Sequence, residues 1–237
     1  MIALVDMDLV VYRSAASAEN EELEIATYRT EELLDTILTK VGTAEYRAFL
    51  TGSNNFRKTI YPEYKANRTQ PKPKWLQECR EFAIKNLGAE LAPDTLEADD
   101  ALAIYQTDNT IICSLDKDLL QIEGKHFQWE IQGGPEEKRW VKPDTFVTQT
   151  KLEGTRLFYE QCLKGDTSDN IKGVKGLGEA KAKKLLAGID NEKAMLEVCL
   201  SQYASEDEFL MNAQCLYILR SLDDSYLSRY ERIKNEV

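Results

Sequence analysis

An α/β fold with a mostly parallel central sheet flanked by helices is predicted by two features of this chain. Short apolar, partly β-branched runs at residues 2–5, 46–50, 89–92 and 110–113 are each separated from the next by helical or irregular stretches, the alternation of strands joined by crossovers. Acids also stand where such a sheet would use them: Asp6 directly follows the first run, and Asp116 follows the fourth by two residues. Ligands of open α/β sheets bind outside the carboxyl ends of the strands, so both acids are expected at one edge.

After the second run, residues 54–73 are polar, basic and proline-bearing, with Tyr61 and Tyr64 interleaved. They read as a surface excursion rather than a strand. Residues 97–106 read as a helix whose first turn holds Glu97, Asp99 and Asp100, with Thr95 as its cap. Glu97 and Asp100 share a face, while Asp99 points elsewhere. Residues 125–147 alternate polar and apolar around Gly133-Gly134-Pro135, the pattern of a hairpin or edge strands. From Thr155 onward the pattern is almost wholly helical. The expected division is an α/β core over residues 1–150, with an insertion at about 54–85, and a helical region over 151–237.

Cys79, Cys113, Cys162, Cys199 and Cys215 are odd in number, widely spaced and mostly in apolar context, which predicts reduced core thiols rather than disulfides or a zinc site. His126 is the sole histidine, so histidine-based catalysis and metal binding are not expected. The first residues carry no basic leader and are interrupted by Asp6, so neither a signal peptide nor a membrane span is read there. The chain is expected to be soluble, cytoplasmic and, lacking long apolar patches, monomeric. Its net charge of −11 is unevenly spread: residues 54–85 hold eight basic against three acidic side chains, and residues 172–188 hold five against one. Two basic segments flanking an acidic centre are what a metal-dependent phosphodiester enzyme needs.

The acids cluster at Asp6, with Asp8 nearby, at Glu97-Ala98-Asp99-Asp100, at Asp116-Lys117-Asp118 and at Asp166-Thr167-Ser168-Asp169. Singly, each cluster is explained as a solvated turn or helix start, since acids favour first turns for dipole reasons alone. Gathered together they would repel, by on the order of 4 kcal/mol per pair at ~4 Å and an effective dielectric of about 20. Convergence therefore implies a hard divalent cation. A second signal is the run Gly173-Val174-Lys175-Gly176-Leu177-Gly178-Glu179-Ala180-Lys181. Glycines let backbone approach phosphate, the amides opening the next helix donate to it, and lysines add nonspecific attraction. The plain alternative is a lysine-rich amphipathic helix after a flexible loop. A third and weaker signal is the basic, aromatic stretch from Phe56 to Arg68, which suits single-stranded nucleic acid. Arg13 reads either as a phosphate contact near Asp6 or as the partner of a surface acid.

In this order the motifs resemble the 5′ nuclease (flap endonuclease) superfamily, most closely the small standalone 5′ to 3′ exonucleases of bacteriophages, from Asp6 to about Leu222. Tyr64-Lys65-Ala66-Asn67-Arg68 is similar to the family's helical-arch motif. Glu97-Ala98-Asp99-Asp100, Ser114-Leu115-Asp116-Lys117-Asp118 and Gly165-Asp166-Thr167-Ser168-Asp169-Asn170 are similar to its metal-binding motifs. The glycine-lysine run resembles its helix-three-turn-helix, here at about 165–188, a form of helix-hairpin-helix whose carbonyls often hold K⁺.

The resemblance implies that Asp6, Glu97, Asp99 and Asp116 serve a first Mg²⁺ or Mn²⁺, with Asp100 supporting, and that Asp118, Asp166 and Asp169 serve a second. It also implies that Tyr64 stacks on a base, that Lys65 and Arg68 hold the scissile phosphate, and that Lys175, Gly176, Gly178 and Lys181 meet the duplex. The implied activity is two-metal hydrolysis, with Asp116 and Asp166 essential, of duplex DNA bearing a 5′ end or a 5′ single-stranded flap; RNA–DNA hybrids are a further substrate to test. The arch is expected to be mobile for want of apolar anchors. One departure stands out: several relatives carry an acid after the second strand, but Leu50-Thr51-Gly52-Ser53 has none, and Asp8 is the nearby substitute. A PIN-like ribonuclease and a noncatalytic structure-specific DNA-binding protein share parts of the pattern.

Overall fold

In the computed structural model, which describes residues 1–235, the chain forms two units. One comprises Met1–Ser53, Pro71–Leu119 and Gly124–Thr148; the other comprises Asn54–Gln70, Leu120–Glu123 and the chain from Gln149 on. The elements begin with β1 (Ile2–Asp6), α1 (Met7–Ser17), α2 (Leu23–Val41), β2 (Tyr46–Leu50), α3 (Arg57–Ile60) and α4 (Leu76–Asn86). Next come β3 (Glu90–Leu91), α5 (Ala98–Ile104), β4 (Thr110–Cys113), β5 (Gly124–Gln128), β6 (Ile131–Gly133), β7 (Trp140–Lys142) and β8 (Thr145–Gln149). Then follow α6 (Lys151–Lys164), β9 (Gly165–Asp166), β10 (Ile171–Lys172), α7 (Glu179–Leu186), α8 (Glu192–Gln202), α9 (Glu206–Leu216) and α10 (Tyr226–Lys234).

The first unit is built on a six-stranded sheet in the order β3-β2-β1-β4-β5-β8. β1 lies parallel to both β2 and β4, with Val5 opposite Cys113 and Asp6 opposite Phe49. β1 and β4 are buried on both faces, as central parallel strands require, and therefore read as unbroken apolar runs. Val10 and Val11 of α1, Leu34 and Ile37 of α2, and Cys79 and Ala83 of α4 close one core against Ala3, Val5, Ala48 and Leu50. The four expected strands are present. The anticipated hairpin is the antiparallel β6–β7 pair, while β5 and β8 join the main sheet because buried Phe127 packs on Phe146 with centroids 4.7 Å apart.

The second unit is mainly helical around an aromatic cluster. Phe158 packs on Tyr159, Tyr226 and Tyr217 with centroids 4.9, 5.0 and 5.5 Å apart. Arg229 locks α10 to α8 through paired bonds to Glu192 at 2.6 and 2.7 Å. Segment 54–70 differs from a loose surface excursion in one respect: its anchors are polar. Arg57, 2 % exposed, donates to the carbonyls of Cys215 at 2.9 Å and Tyr217 at 2.7 Å. Arg57 satisfies buried carbonyls while stacking on Phe56, 4.6 Å from the ring centroid, an anchor that has no apolar signature in the sequence.

All five cysteines are free and buried, as the sequence suggested. Burial pushes the Cys113 thiol up to about 12 and raises those of Cys162 and Cys199 well above the usual range.

Candidate functional site

Asp6 ends β1 and caps α1, accepting from the Leu9 amide at 3.2 Å through Oδ1. The parallel register that pairs Val5 with Cys113 sets the following residues, Asp6 and Ser114, side by side. Ser114 Oγ donates to Asp6 Oδ2 at 2.7 Å and accepts from the Asp116 amide at 3.0 Å. Asp116 Oδ1 then accepts from the Asp118 amide at 2.8 Å. One hydrogen-bond chain thus orients three of the expected acids beyond the carboxyl ends of β1 and β4. Asp6 is only 3 % exposed. Burial and then the charge of Asp8, with a smaller push from Asp116, raise its carboxyl to about 7 against the opposing bonds from Ser114 and Leu9.

The second acidic element of this unit is the start of α5. Glu97 is the N-cap, not Thr95, which sits two residues earlier at φ 69° in the loop. Glu97 and Asp100 form a capping box: the Glu97 side chain accepts from the Asp100 amide, and Asp100 Oδ2 accepts from the Glu97 amide at 3.1 Å. The shared face expected of these two acids is realised in this mutual capping, with Asp100 fully buried and Asp99 partly exposed.

Asp8, which the sequence offered as an outer-shell substitute, is engaged with Thr51 and Arg80. Its Oδ2 accepts from the Thr51 amide at 2.9 Å and its Oδ1 pairs with Arg80 Nη1. Arg80 Nη2 reaches the Thr51 carbonyl at 2.5 Å, and Thr51 Oγ1 accepts from the Ala98 amide at 2.9 Å. Arg13, two helical turns beyond Asp6, lines a groove with Arg29, Glu32, Trp129 and Glu130.

In the second unit, Asp166 Oδ1 accepts from the Ser168 amide at 2.7 Å and its hydroxyl at 2.6 Å. Asp169 is gripped by the turn around residue 65. Tyr64 Oη donates to it at 2.8 Å, Arg68 Nη2 at 2.6 Å, and Lys65 Nζ lies 3.6 Å away. The Lys65 amide bonds the Asp169 carbonyl at 3.0 Å, Asn67 bonds the Thr167 carbonyl at 2.6 Å, and Asn170 bonds the Glu63 carbonyl at 2.9 Å. Lys65 itself adopts φ 58°, a left-handed conformation that L side chains rarely take. Tyr64, expected to stack on a base, is 3 % exposed and donates its hydroxyl to Asp169.

The glycine-lysine run forms the turn between α6 and α7. A Cβ on Gly173 would overlap the backbone of Lys164 and Gly165, whereas nothing lies within 4 Å of one on Gly178. Gly173 therefore serves the crossing of β9 and β10, and Gly178 opens α7 toward solvent. Lys175, Gly176 and Lys181 are exposed, with Lys181 Nζ donating to the Gly176 carbonyl at 2.9 Å.

The carboxylate-rich donor set around Asp6 fits a hard cation such as Mg²⁺ or Mn²⁺ and no soft one. Among the described residues, no three ligating side chains converge closely enough to hold an ion as they stand; a cation would have to draw them together. The sequence did not reveal the bonding of Ser114, Thr51 and Arg80, and Arg57, part of the stretch read as suiting nucleic acid, is buried against backbone carbonyls. Ser114 alone gave a signal, standing two residues before Asp116 at the end of an apolar run.

A family model described as 5′-3′ exonuclease, N-terminal resolvase-like domain, matches residues 1–151. A Bacillus subtilis 5′-3′ exonuclease is 30 % identical over 160 residues, covering 62 % of this chain and 52 % of that protein. A Chloroflexus aurantiacus DNA polymerase I is 32 % identical over 228 residues, 83 % of this chain and 23 % of its own length. The chain thus spans about half or less of the curated relatives it matches. A solved flap endonuclease of bacteriophage T5, in a product complex with DNA and metal ions, shares the fold with a TM-score of 0.64 at 14 % identity, covering 91 % of this chain and 88 % of that one.

Proposed function

Because the chain belongs to the 5′-3′ exonuclease family, we propose that it is a metal-dependent nuclease cutting DNA phosphodiester bonds near 5′ ends or at 5′ flaps. The observation that carries this reading is the bonded series Asp6–Ser114–Asp116–Asp118, anchored on a buried acid whose carboxyl is pushed to about 7. A buried acid perturbed by both burial and neighbouring carboxylates is the kind of group that functional sites use.

Asp6, Glu97, Asp99 and Asp116 are the residues proposed to hold divalent metal, with Asp100 fixing Glu97. When bound, Mg²⁺ or Mn²⁺ would lower the pKa of a bound water and stabilise the leaving oxygen. Ser114 keeps Asp6 and Asp116 oriented, and no histidine base is required. Lys65 and Arg68, which neutralise Asp169 in the protein alone, are proposed to exchange that carboxylate for DNA phosphate. Residues 151–237 are proposed to bind duplex through the turn carrying Lys175, Gly176, Gly178 and Lys181, the place where K⁺ would also bind.

The test is product mapping on an end-labelled 5′-flap duplex with and without Mg²⁺, beside an all-RNA version and an RNA–DNA hybrid. Metal-dependent cleavage of DNA near the junction or stepwise from the 5′ end is expected, and Asp116→Asn should reduce it by ~10²-fold or more with duplex affinity unchanged. Cleavage of the all-RNA substrate alone would favour a PIN-like ribonuclease. Tight junction binding without cleavage would make the protein a DNA binder.

A further inference from the structure

We infer that Arg80 is a positioning residue for metal binding: through Asp8 and Thr51 it fixes the start of α5, the helix that presents Glu97 and Asp99. The inference rests on the metal-dependent reading above. Its basis is that both backbone groups and the side chain of one residue, Thr51, are engaged by three different elements of the same unit. Asp8 of α1 takes the Thr51 amide, Arg80 of α4 takes its carbonyl, and Arg80 and Asp8 pair with each other. The remaining polar group, the Thr51 hydroxyl, accepts from Ala98, the first residue of α5.

The physical consequence concerns what is left for Glu97 to do. The first amides of a helix have no intrahelical partners and must find acceptors. α5 has only seven residues, and its capping box already draws on the carboxylates of Glu97 and Asp100. With the Thr51 hydroxyl present, the Ala98 amide makes no claim on a carboxylate. Without it, the Glu97 carboxylate is the acceptor at hand, and every bond it gives to backbone competes with a cation. The hydroxyl therefore spares the Glu97 carboxylate one further backbone bond beyond its capping box, and the Arg80–Asp8 pair keeps the hydroxyl in place. Thr51 would thus act on the metal through the backbone of α5 rather than by ligation. Arg80 also offsets Asp8, whose negative charge acts on Asp6.

The test measures Mn²⁺ binding to the DNA-free chain by electron paramagnetic resonance, together with amide exchange at residue 98 in metal-free protein and the Mg²⁺ dependence of flap cleavage. Thr51→Val keeps shape and removes one acceptor. It should raise the Mn²⁺ dissociation constant by ~10-fold, the usual scale for losing a residue that orients a ligand. It should also speed exchange at Ala98 and leave cleavage at saturating Mg²⁺ within about twofold of wild type. Arg80→Gln should do the same, Arg80→Lys should restore part of the affinity, and Asp8→Asn combined with Arg80→Gln should be no worse than Arg80→Gln alone, because the pair acts as a unit. If wild type binds Mn²⁺ and cleaves while Thr51→Val and Arg80→Gln bind it equally well, the positioning role is wrong and the nuclease reading survives. If wild type neither binds Mn²⁺ nor cleaves, the nuclease reading itself falls.

Discussion

Asp6 has a folded-state value of about 7 against an ordinary 3.8, so between those pH values the folded chain holds a proton that the unfolded chain has released. Its contribution favours the folded state at low pH and is lost as pH rises through 7. Asp6→Asn removes this liability. In EDTA at pH 8 the variant should be more stable than wild type by up to ~4 kcal/mol, with little difference at pH 4, as read from urea denaturation at both pH values. Equal stability at pH 8 would mean that Asp6 is ionised at no cost in the metal-free chain. At this scale the acids were legible because chemistry of one kind recurs beside apolar runs. The bonding of Ser114, Thr51 and Arg80 was not, because the sequence separations of 108 from Asp6 to Ser114 and 72 from Asp8 to Arg80 are closed only by the sheet and its flanking helices.

The turn between α6 and α7 separates two uses of glycine that look alike in sequence. Gly173 sits where two stretches of backbone nearly touch, and Gly178 stands in open space at φ −87°. Gly173→Ala should cost ~2–4 kcal/mol by forcing β9 from β10. Gly178→Ala should cost no more than ~1 kcal/mol, the loss of a preferred N-cap residue, while weakening duplex DNA binding several-fold, since in the proposed complex a methyl there would meet an incoming phosphate. If Gly178→Ala binds duplex as wild type does, close backbone approach at that position plays no part. The strands and the helices after Thr155 were readable from periodicity and length. The place of segment 54–70 was not: an interior held by Arg57 and Tyr64 through hydrogen bonds has the composition of a solvated loop.

Over the whole molecule the net charge of −11 opposes the proposed DNA partner, and local distribution would have to overcome it. Lys183 is tied to Glu179 at 2.7 Å, which leaves Lys172, Lys175, Lys181 and Lys184 as the exposed cations of residues 172–188. If these four meet phosphates, doubling the salt concentration should weaken duplex binding by about tenfold, measurable by fluorescence anisotropy across a salt series. A much shallower dependence would place the duplex elsewhere. The acid-to-base contrast was plain in the sequence, whereas the grouping of residues 54–70 with the C-terminal helices depends on long-range contacts that no local pattern encodes. The burial of all five thiols has a practical consequence. Peroxide and alkylating agents attack thiolates, and burial holds Cys113, Cys162 and Cys199 in the protonated form. The thiols of the folded protein should therefore resist alkylation and air oxidation until it unfolds, so thiol labelling would report unfolding.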